Sequence, residues 1–154
     1  MLRRFMSLTL LCMVPGLVLA NVDHPLISAY PGAKIRKHLQ VDYEQVSMPT
    51  GAVSAGGLPT QVLVGDLSWH TYVIKGVSTL KLYENYRQAL DKMGFEIRSS
   101  CALEACGSEA MAQQLGNAMS PEAAVYNWHR KPYYLLAEKA ASKGTVTVGL
   151  FIGG

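Results

Sequence analysis

Charge is what this sequence has least of: 16% of its 154 residues are Asp, Glu, Lys or Arg, against about 25% in an ordinary soluble domain. Repeats, coiled-coil heptads and low-complexity tracts are absent, so nothing suggests a solenoid or a disordered tail. The four histidines never fall in H-x-x-x-H or H-E-x-x-H spacing, there is no G-x-S-x-G elbow, and no G-x-x-x-x-G-K loop cradles a phosphate. No metal site, cofactor or catalytic set is therefore expected. What the chain does have is 49% hydrophobic residues, enough for one compact domain.

The apolar residues are concentrated first at the N-terminus. Arg3 and Arg4 precede the run Phe5–Met13, then Pro15-Gly16, then Leu17-Val18-Leu19-Ala20. That order of charge, apolar core and small residue is a secretory signal peptide, with cleavage expected between Ala20 and Asn21. Retention as a membrane anchor is the competing reading, but Pro15-Gly16 interrupts the core well short of the ~20 residues a spanning helix needs. Lipidation at Cys12 is disfavoured by Leu11 before it. Removing 1–20 takes away Arg3 and Arg4 and leaves 12 basic against 11 acidic residues, a net charge of +1. A domain this close to neutral has no reservoir of cations for nucleic acid, and after cleavage no transmembrane segment remains. The densest basic cluster, Lys34-x-Arg36-Lys37, reads as a solvated turn or strand edge.

Cleavage also removes one of three cysteines. The survivors, Cys101 and Cys106, sit in Ser-Ser-Cys-Ala-Leu-Glu-Ala-Cys-Gly, and an exported chain with two cysteines defaults to a disulfide. A redox pair would favour C-x-x-C, and a zinc half-site lacks a second pair of ligands.

The mature chain, 21–154, reads as a single α+β domain, mostly antiparallel sheet. His24-Pro25 and Tyr30-Pro31-Gly32 forbid a helix at its start. From His38, Leu39, Val41 and Tyr43 alternate with polar neighbours as a half-buried strand that Met48-Pro49-Thr50-Gly51 ends. Gly56-Gly57-Leu58-Pro59 suggests a mobile loop. Gln61–Val64 and Leu67–Ile74, divided by Gly65-Asp66, are two strands or one bent strand. Ser78 caps the main amphipathic helix, 78–93, with Leu82, Tyr86, Ala89, Leu90 and Met93 on one stripe and Gly94 as its stop. Phe95 and Ile97 then alternate as a strand expected to return into the same sheet. Ser108–Asn117 suggests a short second helix with Ala112, Leu115 and Met119 inward. Tyr133–Lys139 and Thr145–Ile152 form a C-terminal hairpin, the helix formers in Tyr133–Ala141 leaving a helical alternative there.

Several stretches resemble the exported bacterial family known as domain of unknown function 4892. They are His24-Pro25-Leu26 with Tyr30-Pro31-Gly32, Asp42-Tyr43-Glu44 leading to Met48-Pro49-Thr50-Gly51, Tyr83 to Glu96, Cys101 with Cys106-Gly107, and Tyr134–Ala137 with Gly144–Val148. The resemblance spans most of 23–152 and is weakest over Ser108–Lys131. It implies a cell-envelope protein of Gram-negative bacteria without an assigned activity. Some relatives append a peptidoglycan-binding domain, which this chain, ending at Gly154, is expected to lack.

Function then rests on the aromatics. In Leu67–Ile74, Trp69 shares one strand face with Leu67, Thr71 and Val73, while His70 and Tyr72 share the other with Ser68 and Ile74. If the helix covers the Trp69 face, His70 and Tyr72 are left partly open, and Tyr126-Asn-Trp128-His129 adds a second aromatic group. Trp69, His70, Tyr72 and Trp128 are therefore the candidate binding surface, against the plainer reading of an ordinary sheet face. The expectation is a non-catalytic periplasmic protein binding an envelope protein, a cell-wall glycan or a lipid. The alternative is a small secreted hydrolase, which would bring His70 or His129 to a carboxylate at the base of a cleft. Asp23-His24 as a metal pair, and Glu104 and Glu109 as acid–base groups, find no further support in the sequence.

Overall fold

Period-two alternation drives the first half of the chain into two long antiparallel strands, β1 (Lys34–Pro49) and β2 (Thr60–Val73). The computed structural model describes residues 23–120 and 130–154. The leader at 1–20 with its cleavage point, and Trp128 and His129, lie outside the described residues. β1 starts before His38 because Lys34 and Lys37 pair with Val73 and Thr71, which puts the basic cluster on a strand. Gly65-Asp66 does not divide β2. The irregularity falls on the partner instead, where Asp42 and Tyr43 together face Asp66 between the pairs Val41–Leu67 and Glu44–Gly65.

Ser78 caps α1 (Thr79–Lys92), its Oγ accepting from the Lys81 N–H at 3.2 Å. Gly94, at φ +80°, supplies the left-handed stop, and the Phe95 N–H reaches back to the Leu90 carbonyl at 3.0 Å. The buried stripe is rotated from the expected one: Tyr83 and Leu90 are buried while Ala89 faces solvent. Tyr83 turns inward because its ring packs on Tyr133, with centroids 5.0 Å apart.

β3 (Glu96–Ala102) follows α1, but it does not rejoin β2. β1 and β2 form a two-stranded ribbon, and β3, β4 (Tyr133–Ala141) and β5 (Gly144–Ile152) form a separate sheet in the order β3–β4–β5, antiparallel throughout. The expected strand–helix–strand unit within one sheet is thereby corrected: α1 connects two sheets. The reason lies in β4, whose residues Tyr133–Ala137 are apolar on both faces and all buried. Such a segment is stable only as a central strand. The two-residue turn Ser142-Lys143 brings β5 to one side, and β3 takes the other. The helical alternative for Tyr133–Ala141 is excluded.

One face of this sheet packs on α1 through Leu90, Tyr133, Leu135, Ala137 and Ile152. The opposite face carries Cys101, Tyr134 and Leu136, covered by Leu115 of α2 (Glu109–Ala118), by the 3-10 turn Leu103–Cys106, and by Val53 and Leu58 from the β1–β2 connection. That connection is anchored rather than the mobile loop its glycines suggested. Val53 is buried, Ser54 and Gly57 pair across a bridge, and the Tyr134 hydroxyl donates to the Pro49 carbonyl at 2.6 Å. Burial pushes the Tyr134 pKa well above that of a free phenol, keeping that donor protonated. Cys101 and Cys106 form a disulfide with Cα atoms 5.0 Å apart, closing the end of β3 onto the 3-10 turn. The whole is a compact α+β fold.

Candidate functional site

The ribbon has two unlike faces, and the bulge at Asp42-Tyr43 keeps them aligned on both sides of it. The inner face carries Leu39, Val41, Leu67 and Trp69. Trp69 donates its indole N–H to the Met119 carbonyl at 2.8 Å, at the C-cap of α2. The element that meets the Trp69 face is thus α2, not α1. Trp69 is a packing residue there, a strand's thickness away from His70.

The outer face is a series of cross-strand rungs: Ile35 with Tyr72, His38 with His70, Gln40 with Ser68, and then Asp66 opposite the bulge. The rings of His38 and His70 lie 6.3 Å apart at 18°, and those of His70 and Tyr72 lie 5.9 Å apart at 6°. Over this end of the ribbon runs the N-terminal strap, residues 23–29. His24-Pro25 keeps it out of a helix, and its own bonds shape it: the Leu26 N–H donates to His24 Nδ1 at 3.1 Å and the Ala29 N–H to Asp23 Oδ2 at 3.2 Å. Two contacts fix it in place. Tyr72 donates to Asp23 Oδ1 at 2.6 Å, and Tyr86 of α1 donates to the Ser28 carbonyl at 3.3 Å, with Ile27 packed against the α1 cluster.

Between strap and ribbon is a cleft of about 520 Å³, bordered by His24, His38, Gln40, Asp66, Ser68 and His70 among others. Its electrostatics follow from those contacts. The Tyr72 hydroxyl first, and the Ala29 N–H second, hold Asp23 below the usual carboxylate range, with a smaller contribution from His70. Burial first, and His70 second, lower the pKa of His24, which favours the neutral imidazole that can accept from Leu26. Burial and then the Asp23 bond raise Tyr72 far above a free phenol. Beyond the cleft the same face is uncovered: Val62 is 60% exposed, Val64 56%, and Tyr43, at φ +57° in the bulge, 78%. The Tyr43 N–H donates to Asp66 Oδ1 at 3.2 Å, which ties this exposed ring to the rim of the cleft.

The structure therefore brings His70 and Tyr72 together and sets Trp69 apart from them; Trp128 is outside the described residues. Glu104 and Glu109 border a different, shallower hollow of about 400 Å³ beside the disulfide turn, where Glu109 lies 3.8 Å from Arg130. His38, Gln40, Asp66, Ser68 and Tyr43 are site residues that sequence reasoning missed. Asp66 and Ser68 fall on the His70 face by alternation along β2, whereas the signal for His38 and Gln40 was the hairpin register, offset by the Asp42-Tyr43 bulge that alternation does not reveal.

Chemically, the cleft offers imidazole nitrogens, an amide, a hydroxyl and carboxylate oxygens, a mixed set of donors and acceptors. Ser68 and His70 are two residues apart on one strand, about 6.7 Å at the backbone, a poor geometry for a nucleophile and its base. Among the described residues, no three His, Cys, Asp or Glu side chains converge to hold a metal ion, and no helix is long and apolar enough to cross a membrane. No family model matches the chain, and no curated protein matches it.

Proposed function

We propose that the chain is an exported, non-catalytic binding domain of the bacterial cell envelope, working in the periplasm and recognising its partner through the outer face of the β1–β2 ribbon. The observation that carries this reading is that face itself. It joins a polar cleft to an uncovered stretch bearing Tyr43, Val62 and Val64, whereas the sheet β3–β4–β5 is covered on both sides. A contiguous exposed surface of mixed apolar and polar character is a common mark of a recognition site. The Cys101–Cys106 disulfide suits an oxidising compartment.

The test is in-cell photo-crosslinking from Val62 and from Gln40 in an exporting host, with Lys92 on α1 as the control position. The same envelope component captured from the two ribbon positions and not from Lys92 supports the reading. Equal labelling from all three positions refutes it.

The second reading, a small secreted hydrolase, is favoured by one observation: His70 and Asp23 interact electrostatically beside the cleft. Against it, both Asp23 oxygens accept bonds that hold the strap, from Tyr72 and from Ala29. Turnover of p-nitrophenyl esters or glycosides by the mature chain, abolished in His70→Ala, favours hydrolysis; no turnover above buffer by the parent favours binding.

A further inference from the structure

We infer that the cleft on the outer face of the ribbon, with Tyr43 at its rim, is a subsite for a neutral saccharide, an inference that rests on the binding reading above.

Three independent features converge on that ligand class. The first is the chemistry of the rungs. Gln40 and Ser68 face each other across the strands next to the His38–His70 pair, so amide, hydroxyl and imidazole groups present donors and acceptors side by side. Sugar hydroxyls both donate and accept, and such a set can satisfy several of them at once. The second is charge. Among the described residues no lysine or arginine borders the cleft, while Asp23 and Asp66 do. A phosphate, sulfate or carboxylate ligand would find no guanidinium or ammonium partner and two carboxylates to repel it. An acyl chain would strand the polar rungs without partners. The volume, about 520 Å³, lies within the roughly 300–1,000 Å³ of small-ligand clefts.

The third feature is Tyr43. An aromatic side chain at φ +57° is in the left-handed region that residues with a Cβ seldom occupy, and here it is also 78% exposed. The positive φ belongs to the bulge that keeps the ribbon's two faces aligned, but the ring itself is packed in neither hydrophobic cluster. Strained, exposed residues of this kind concentrate at recognition sites. Asp66, a wall of the cleft, holds the strained residue through its backbone N–H. The ring then offers a flat apolar surface for the C–H face of a pyranose beside groups that bind its hydroxyls.

The experiment uses the mature chain with its disulfide intact, and follows backbone amide resonances during titration with cellotetraose, maltotetraose and chitotetraose, with inorganic phosphate as the anionic probe. At least one saccharide should shift Gln40, Ser68 and His70 together, and phosphate should not. Tyr43→Gly should bind up to about tenfold more weakly, the upper range of one aromatic contact, and yet unfold at a higher denaturant concentration because glycine relieves the positive φ. That pairing of greater stability with weaker binding separates a recognition role from a structural one. If no saccharide shifts these amides, or phosphate shifts them more strongly, the inference is overturned. A shared crosslinked partner from Val62 and Gln40 would then still uphold the binding reading, and its absence as well would overturn both.

Discussion

The Tyr72 hydroxyl donates to Asp23 Oδ1 at 2.6 Å, a bond that joins the N-terminal strap to the outer face of the ribbon. The same strap is held at its other end by Tyr86 and Ile27 on α1. Because the ribbon and the three-stranded sheet share no strand pairing, the strap is a further link between them beside the Trp69–Met119 contact and the packed β1–β2 connection. The cleft between strap and ribbon exists only while the strap is in place.

Tyr72→Phe removes the hydroxyl and keeps the ring. Asp23 then loses its shorter bond, and the strap should open more often without global unfolding. Hydrogen exchange at Ala29 should accelerate most, because its N–H is bound to the other oxygen of the same carboxylate. Exchange at Leu135 and Leu136, in the central strand, should stay unchanged. Acceleration spread evenly over the chain would contradict the strap's local role.

Strap docking should depend on pH in two stages. Folding lowers the pKa of His24 from its ordinary 6.5, so His24 binds protons more readily when the strap is undocked. Docking is then fully favoured above about pH 6.5 and weakens as the pH falls through the lowered value, where protonation also destroys the Nδ1 acceptor used by Leu26. Asp23 is likewise lowered from 3.8, so its contribution is present above that value and is lost as the pH falls through the lower folded one. The imidazoles of His38 and His70 face the same cleft, and Tyr72, raised above 10, extends the tie into alkaline solution. His24→Asn keeps a local acceptor and removes the titration. Following strap amides by NMR between pH 3 and 7, roughly the span of the two ordinary values, the variant should lose the upper stage and keep the lower. Retention of both stages would show that His24 is not the group responsible.

Local chemistry makes much of this fold legible in the sequence. Ser78 and Gly94 bracket α1, Ser108 caps α2, and strict alternation through Val146, Val148, Leu150 and Ile152 gives β5. Long-range pairing was less legible, because Phe95–Arg98 reads as a half-buried strand whether its partner is β2 or β4. That choice is settled by β4, which is buried on both faces and requires two neighbours. The site was legible only in part for a similar reason. Alternation along β2 separates Trp69 from His70 and Tyr72 and places Asp66 with the latter once Gly65-Asp66 is read as part of the strand, but His38 and Gln40 join them only through a register that the Asp42-Tyr43 bulge displaces. Asp23 joins through a strap of 23–29 with no regular structure to predict.

Loss of the Cys101–Cys106 bridge should cost about 2 kcal/mol, as expected for so short a loop. The bridge closes β3 onto the 3-10 turn, and both cysteines belong to the buried cluster with Leu115, Tyr134 and Leu136. Replacing both cysteines by alanine keeps that surface apolar, so the variant should still unfold cooperatively, at a lower urea concentration. Parent protein under reductant should match it closely. No change in the urea midpoint in either case would mean that the bridge contributes nothing beyond its packing.

Two glycines in tight contacts give a last prediction in which the shorter distance is the less important one. A Cβ at Gly116, in α2, would lie 2.9 Å and 3.1 Å from ring carbons of Phe151, whereas one at Gly149, in β5, would lie 2.6 Å from Met48 Sδ and 2.8 Å from Met119 Cε. Neither glycine has a positive φ, so alanine meets no backbone penalty at either position. In α2 it should gain about 1 kcal/mol of helix propensity. Phe151 is a rigid ring held between α2 and the sheet in the cluster of Leu115 and Tyr134, and overpacking of that kind costs about 1–3 kcal/mol. The clash outweighs the propensity, so Gly116→Ala should destabilise by about 1 kcal/mol. At Gly149 the obstacles are the ends of two methionines with three rotatable bonds each, which can swing aside. Alanine there should fall within about 0.5 kcal/mol of the parent, because the gain from replacing a strand glycine offsets most of the rearrangement. Chemical denaturation of the two variants decides it: if Gly149→Ala were the more damaging, the methionines would be fixed in place and the packing of α2 and β1 against this face of the sheet would be as rigid as the β4 core.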